Sequence, residues 1–126
     1  MKNFIIRVSE KGYFFVLVNQ EDNNHVLLRS HSEQSVAYFK TKSHCLTVIE
    51  KLKRRGVIAG AYDKRRPMGN NWNFYIKDDD EKMTRLAEGT EYDTDLKMDI
   101  AIQTLIRCIE QASVVDQTLI FMDIEF

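Results

Sequence analysis

Twice along the chain, a run of alternating apolar residues gives way to an apolar stripe of helical period, so the fold must combine strands and helices. In the first half Phe4, Ile6 and Val8 alternate with Ile5 and Arg7, which is the two-residue repeat of a strand. Ser9-Glu10-Lys11-Gly12 reads as a turn. Tyr13 to Val18 is a second strand, rich in aromatic and β-branched residues. Gln20 to Asn24 is a polar hairpin loop, and His25 to Ser30 a shorter third strand. The period then changes. Cys45, Val48, Ile49 and Leu52 fall at i, i+3, i+4 and i+7 within Lys42 to Arg55, building one stripe of an amphipathic helix. Thr41 or Ser43 can cap its start. Gly56 stands where a helix end favours a left-handed residue. Val57 to Arg66 returns to extended character, and Pro67-Met68-Gly69-Asn70-Asn71 is a turn.

The second half follows the same order. Trp72 to Lys77 reads as a strand, Asp78 to Glu81 as a loop, and Met83 to Ala87 as a short strand. Leu96 to Ala112 is a helix with Ile102, Leu105, Ile106 and Ile109 on one face, and Leu119 to Phe126 is a final strand. The halves overlay with a shift of about 60 positions, a spacing in the range of repeat architectures. Phe14-Phe15-Val16 then falls on Phe74-Tyr75-Ile76, Ile49-Glu50 on Ile109-Glu110, and Asp63 on Asp123.

At 126 residues the chain has room for one domain, or for two very small units sharing one core. Hydrophobic residues make up 44% and charged residues 29%, too apolar a balance for a disordered chain. The net charge of −1 gives no long-range attraction for a polyanion. Cys45 and Cys108 are too few for a disulfide framework and form no CxxC pair, so they read as small core residues. The N-terminal apolar run breaks at Arg7, without the core of a signal peptide. No stretch approaches the roughly 18 apolar residues of a membrane helix. These features point to a reduced, cytoplasmic protein.

Tyr13-Phe14-Phe15-Val16-Leu17, Val26-Leu27-Leu28-Arg29-Ser30 and the capped helix from Thr41 to Ile49 carry a family resemblance. So do Trp72-Asn73-Phe74-Tyr75-Ile76, the stretch to Thr90-Glu91-Tyr92, and the helix through Ala101-Ile102. The succession of aromatic hairpin, aliphatic strand ending in a hydroxyl residue, and capped helix resembles the YegP-like domain of unknown function, in a divergent tandem form. The resemblance covers nearly the whole chain. It implies an α+β fold of two tandem β-β-β-α-β repeats forming one mostly antiparallel sheet, with two helices on one face. Residues 1–66 would be the first repeat and 67–126 the second, together one compact domain. It also implies exchange of the last strands: 57–66 would cross to the second unit and 119–126 would return to the first. One unit of this size would be marginal alone, and a shared sheet buries more of both. The resemblance transfers no activity and no cofactor.

The residues offer little chemistry. His44-Cys45 suggests a base and nucleophile only by adjacency, since helix neighbours point about 100° apart. His25 and His31 lack further ligands at metal-site spacing. Asp78-Asp79-Asp80-Glu81 fails the calcium-loop pattern, because its sixth and twelfth positions are Met83 and Gly89. No glycine-rich phosphate loop and no GxSxG turn occur. The reading is a non-enzyme without metal or cofactor.

Two surfaces stand out. Lys51 to Arg66 holds seven basic residues and one acid, whereas Asp78 to Asp95 holds eight acids and two bases. A basic patch of Lys51, Arg54, Arg55, Arg65 and Arg66 could hold a phosphate backbone, although helix-dipole and strand-edge roles explain the same charges. The Tyr13–Val18 strand is apolar on both faces, while its counterpart from Trp72 is amphipathic. With both helices on one face, Tyr13, Phe15 and Leu17 would lie on the uncovered one and offer an interaction surface, for a second copy or a protein partner. The leading function is a non-enzymatic binding or protein-interaction module. The alternative is a weak nucleic-acid-associated protein using the basic patch.

Overall fold

The alternating segments join one sheet. The computed structural model describes residues 2–30, 38–66 and 71–118. Its elements are β1 (Lys2–Ser9), β2 (Gly12–Asn19), β3 (His25–Ser30), α1 (Lys42–Arg55), β4 (Tyr62–Arg65), β5 (Asn73–Lys77), β6 (Arg85–Gly89), α2 (Asp95–Cys108) and β7 (Ser113–Asp116). The seven strands form a single sheet in the order β4-β5-β6-β3-β2-β1-β7. All neighbours are antiparallel except β1 and β7, which run parallel. The architecture is thus mixed α+β, one sheet with two helices.

Register fixes which side chains share a face. Phe4 and Ile6 lie opposite Leu17 and Phe15, Leu17 opposite Leu28, and Ile76 opposite Ala87 and Tyr62. These residues and the apolar stripes of both helices (Cys45, Val48, Ile49 and Leu52; Met98, Ile102 and Leu105) form one buried cluster. Polar contacts also place the helices on this face. The Lys64 ammonium pairs with Asp99 of α2, and the Tyr62 hydroxyl donates to the Gly56 carbonyl at the end of α1, 2.8 Å away.

Thr41 and Thr94 cap the two helices alike. Each has extended backbone, and its hydroxyl accepts from the amide three residues on, at 3.1 Å. Removing such a cap costs about 1 kcal/mol. Thr41→Ala and Thr94→Ala should each lower the urea midpoint by that equivalent, and additively, because they cap different helices.

Several boundaries differ from the sequence expectation. Gly56 is not left-handed: its φ is −66°. A Cβ there would come within 2.7 Å of the Ile109 side chain, so close packing, not backbone freedom, explains the glycine. Val57 to Arg66 is a strand only at Tyr62–Arg65, because the chain first makes a 3-10 turn at Ala59–Ala61. The second helix ends at Cys108, and a 3-10 turn at Ile109–Gln111 hands the chain to β7. The strand expected over Met83 to Ala87 starts at Arg85, since Met83 takes a φ of 52° and Asp80 holds Thr84 in the loop. The strand expected over Leu119 to Phe126 lies outside the described residues. Among the described residues, the strand that pairs in parallel with β1 is Ser113–Asp116.

Lys42 ties β7 to α1 through a 2.8 Å ion pair with Asp116. Desolvation alone would raise the Asp116 carboxyl. Hydrogen bonds from Lys42 and Thr118 outweigh it and hold the carboxyl below its usual range. A carboxyl depressed in the folded state stabilises above its unfolded pKa, about 3.9, and the contribution is lost as pH falls through the folded value. Asp116→Asn should therefore be less stable than the parent protein at neutral pH and converge with it as pH falls through the depressed folded value, as read by thermal melts across pH.

Candidate functional site

Tyr13, Phe15 and Leu17 are not on an open surface. Phe15 and Leu17 are fully buried and Tyr13 packs against the same core. They share the helix-covered face with Phe74 and Ile76. The reason is a one-residue slip in the overlay. The β2–β3 pair is bulged between Leu17 and Val18, and the β5–β6 pair between Ile76 and Lys77, 59 positions later. A shift of 59 puts Phe15 on Phe74, whereas a shift of 60 moves every side chain to the wrong face. The expected apolar interface, and the homodimer through it, lose their surface.

The opposite face carries no described helix. Asn3, Ile5 and Arg7 of β1, Phe14, Val16 and Val18 of β2, and Arg29 of β3 belong to it. So do Glu88 and Arg85 of β6, Asn73, Tyr75 and Lys77 of β5, and Asp63 and Arg65 of β4. Its β1–β2 half is apolar, with Ile5 and Val18 buried. Its β4–β5–β6 half is charged. Over the whole face Arg7, Arg29, Arg65, Lys77 and Arg85 stand against Asp63 and Glu88, five basic groups to two acidic, in a protein of net charge −1.

The basic patch read from the sequence does not form one surface. Lys51, Arg54 and Arg55 line a cleft of about 400 Å³ with Ile58, Asp78 and Asp79. There the Lys51 ammonium pairs with Asp78 at 3.2 Å, and the Arg55 Nε donates to the Lys77 carbonyl. Desolvation tends to raise the Asp78 carboxyl, but hydrogen bonds from the Asp79 amide and Lys51 bring it below its usual value. Lys51 and Arg55 thus tie α1 to the β5 end. Arg65 and Arg66 line a separate cleft of about 320 Å³, with Asn73, Tyr75 and Arg85.

That second cleft joins three strands. Arg65 lies opposite Asn73, Asp63 opposite Tyr75, and Lys77 opposite Arg85. The Arg85 guanidinium lies 4.1 Å from the Tyr75 ring centroid, and Arg66 lies 5.4 Å from that of Trp72. Asp63 accepts a hydrogen bond from the Arg65 Nε at 2.9 Å, and the Arg65 Nη2 lies 2.7 Å from the same carboxylate oxygen as an ion pair. The Asn73 Oδ1 is buried and has no hydrogen-bond partner among the described residues. Sequence reading named Arg65 and Arg66 but missed Arg85, Tyr75 and Asn73, which strand pairing alone brings to them.

Catalytic groups fare differently. Cys45 is fully buried, and desolvation pushes its thiol up to about 12. His44 is exposed and meets the Phe39 ring edge-on. His25 is exposed, and His31 lies outside the described residues. Asp80 spends its oxygens on the Thr84 amide and hydroxyl. Among the described residues no three His, Cys, Asp or Glu side chains are grouped to hold a metal ion, and no helix is long and apolar enough to cross a membrane.

Solved structures share this arrangement of strands and helices. A UPF0339 protein from Shewanella oneidensis, solved by NMR, superposes with a TM-score of 0.77 at 20% identity, over 94% of this chain and 92% of that one. The yegP protein of E. coli, a protein of unknown function also solved by NMR, gives 0.76 at 18% identity, over 93% of each chain. The fold is YegP-like. At these identities the likeness speaks to the YegP-like fold alone. No protein-family model matches the sequence, and no curated protein matches it.

Proposed function

We propose that the protein is a non-enzymatic binding module whose working surface is the helix-free face, at its β4–β5–β6 half, and whose ligand is acidic. The observation that carries this reading is the cleft of Arg65, Arg66 and Arg85 around Tyr75 on a face that is net basic in a net acidic protein. A sheet face with fixed backbone positions its side chains more rigidly than a loop does. The buried thiol of Cys45 supports a role without nucleophilic catalysis. Both described cysteines are free, which suits a reducing cytoplasm.

This reading includes a duplicated chain. The β2–β3 and β5–β6 hairpins correspond at a shift of 59, bulge included. Tyr13 bridges to Phe39 as Trp72 does to Tyr92, and the caps Thr41 and Thr94 follow two residues after each bridge. The two units then meet at β3 and β6, where Arg29 lies opposite Glu88, its own counterpart at that shift. Opposite charges (3.5 Å apart) at the meeting point favour the joined halves over two like halves. β4 follows the first helix yet pairs with β5, and β7 returns to β1, so we read each unit's last strand as crossing to the other.

Nucleic acid is the second reading. Two aromatic–guanidinium pairs beside one cleft are the materials of single-strand binding. Amide shifts in a ¹⁵N-labelled sample separate the two. An oligoglutamate peptide should perturb β5 and β6 around Tyr75 and Arg85, and a short single-stranded oligonucleotide should do so more weakly. Perturbation confined to α1 with either probe, or none, sinks the assignment of this face. Tighter oligonucleotide binding with a steep salt dependence would select the second reading.

A further inference from the structure

We infer that the outer edge of β7 pairs with the same edge of a second copy of this chain, antiparallel and centred on Val115. The contact lies at the opposite end of the sheet from the Arg65–Arg85 cleft. The two edges of the sheet are unlike. β4 closes one with Tyr62-Asp63-Lys64-Arg65, and charges of this kind keep an exposed edge from pairing. β7 closes the other with Ser113-Val114-Val115-Asp116. Val114 is 38% exposed on the helix-covered face, opposite Phe4, and Val115 is 39% exposed on the other face, opposite Ile5. Leu46 is 40% exposed on α1, one turn beyond Lys42, whose ammonium reaches β7 at Asp116. An edge with apolar side chains exposed on both faces is a template for a further strand.

Backbone alternation fixes the register. The Gln117 amide donates to the Ile6 carbonyl, so Ser113 and Val115 also turn their amides and carbonyls toward β1, and Val114 and Asp116 turn theirs outward. Among the described residues no backbone group meets these outward groups. An antiparallel partner exchanges both bonds only where outward residues stand opposite each other. Asp116 against the second copy's Asp116 would set carboxylate against carboxylate. Val114 against Val114 would carry Asp116 past the end of the other strand. Val114 against the second copy's Asp116 uses every outward group and sets Val115 against Val115. It also leaves each Asp116 with its own Lys42, 2.8 Å away. A second copy fits this edge better than β4 of another molecule. Pairing about a two-fold axis closes on itself, whereas β7 on β4 would leave an open end at every step and set Lys64 and Arg65 against valines. The contact buries on the order of several hundred Å², under the roughly 1,200 Å² of stable complexes, so the dimer is weak and forms at about 0.1 mM and above.

The test uses the full chain. Sedimentation equilibrium from about 10 μM to about 1 mM should show monomer and dimer only. Over that range the Val114 and Asp116 amides should exchange more slowly as concentration rises, while the Val115 amide, bonded to β1, stays protected throughout. Val115→Lys should raise the dissociation constant at least about tenfold, because it sets ammonium against ammonium across the axis. Its urea midpoint should stay at the parent value, since the side chain lies at an exposed edge. A monomer at every concentration overturns the inference. So does a dimer that Val115→Lys leaves intact, and so does association that continues past two copies, the mark of β7 pairing with β4. If Val115→Lys lowers the urea midpoint, the exchange pattern of the parent protein decides. A concentration-dependent gain at all three amides alike, or at none, overturns the pairing.

Discussion

Phe15→Ala should cost about 3–5 kcal/mol of unfolding free energy, the range for emptying a large aromatic site in a core, whereas Phe14→Ala, one position away, should cost far less. Phe15 is fully buried. It meets Phe4 edge-on at 5.8 Å and stacks on Phe39 at 6.1 Å, so its removal opens a hole that rigid ring neighbours cannot close. Phe14 is half-buried on the other face, where it meets the Tyr38 ring edge-on at 5.6 Å. Urea titration of the two variants measures the difference. Similar losses, or a larger loss at Phe14, would mean that β2 presents the other set of side chains to the helices, and the location of the candidate cleft would fall with that assignment.

The contrast between these neighbours also shows how far the sequence could be read. Period alone located the helices and most strands, because burial on one face leaves a repeat of two or of about 3.6. Period did not fix register between the halves. Ser30 and Phe39 are nine positions apart, while Gly89 and Tyr92, which occupy the same places, are three apart. No single shift fits both the strands, 59 positions apart, and the helix caps, 53 apart, and a shift of about 60 misplaces both. If the two caps are taken as equivalent, as the proposed duplication has them, Ile49 falls on Ile102 rather than on Ile109. The basic patch failed for a related reason. Its residues are close in sequence, but α1 lies over one sheet face, while β4 turns Lys64 toward that face and Arg65 to the other. Conversely, Arg65 and Arg85 come together only because β5 lies between their strands, and nothing local in either segment reports that pairing.

Gly89→Ala should destabilise by about 3 kcal/mol, the upper end for overfilling a packed core, although alanine is an ordinary residue in a strand. A Cβ at Gly89 would stand 2.4 Å from Cε1 and Cζ of Phe74. The ring has nowhere to retreat. Phe74 is fully buried, Tyr92 is stacked nearly parallel to it at 6.4 Å, and Tyr62 lies tilted at 5.6 Å. The corresponding place in the other half holds Ser30, whose hydroxyl accepts from the Phe15 amide at 3.3 Å. That half therefore tolerates a Cβ where this one does not, and the glycine reflects how Phe74 is seated, not a need of the strand. A double-mutant cycle isolates the cause. Phe74→Leu removes the ring atoms that the methyl would strike, so combining it with Gly89→Ala should cost at least 1 kcal/mol less than the two single losses together, within the coupling known for touching residues. Strict additivity would show that the ring is not packed across β6 at this point. The register of β5 against β6, which also brings Tyr75 and Arg85 to one cleft, would then be wrong.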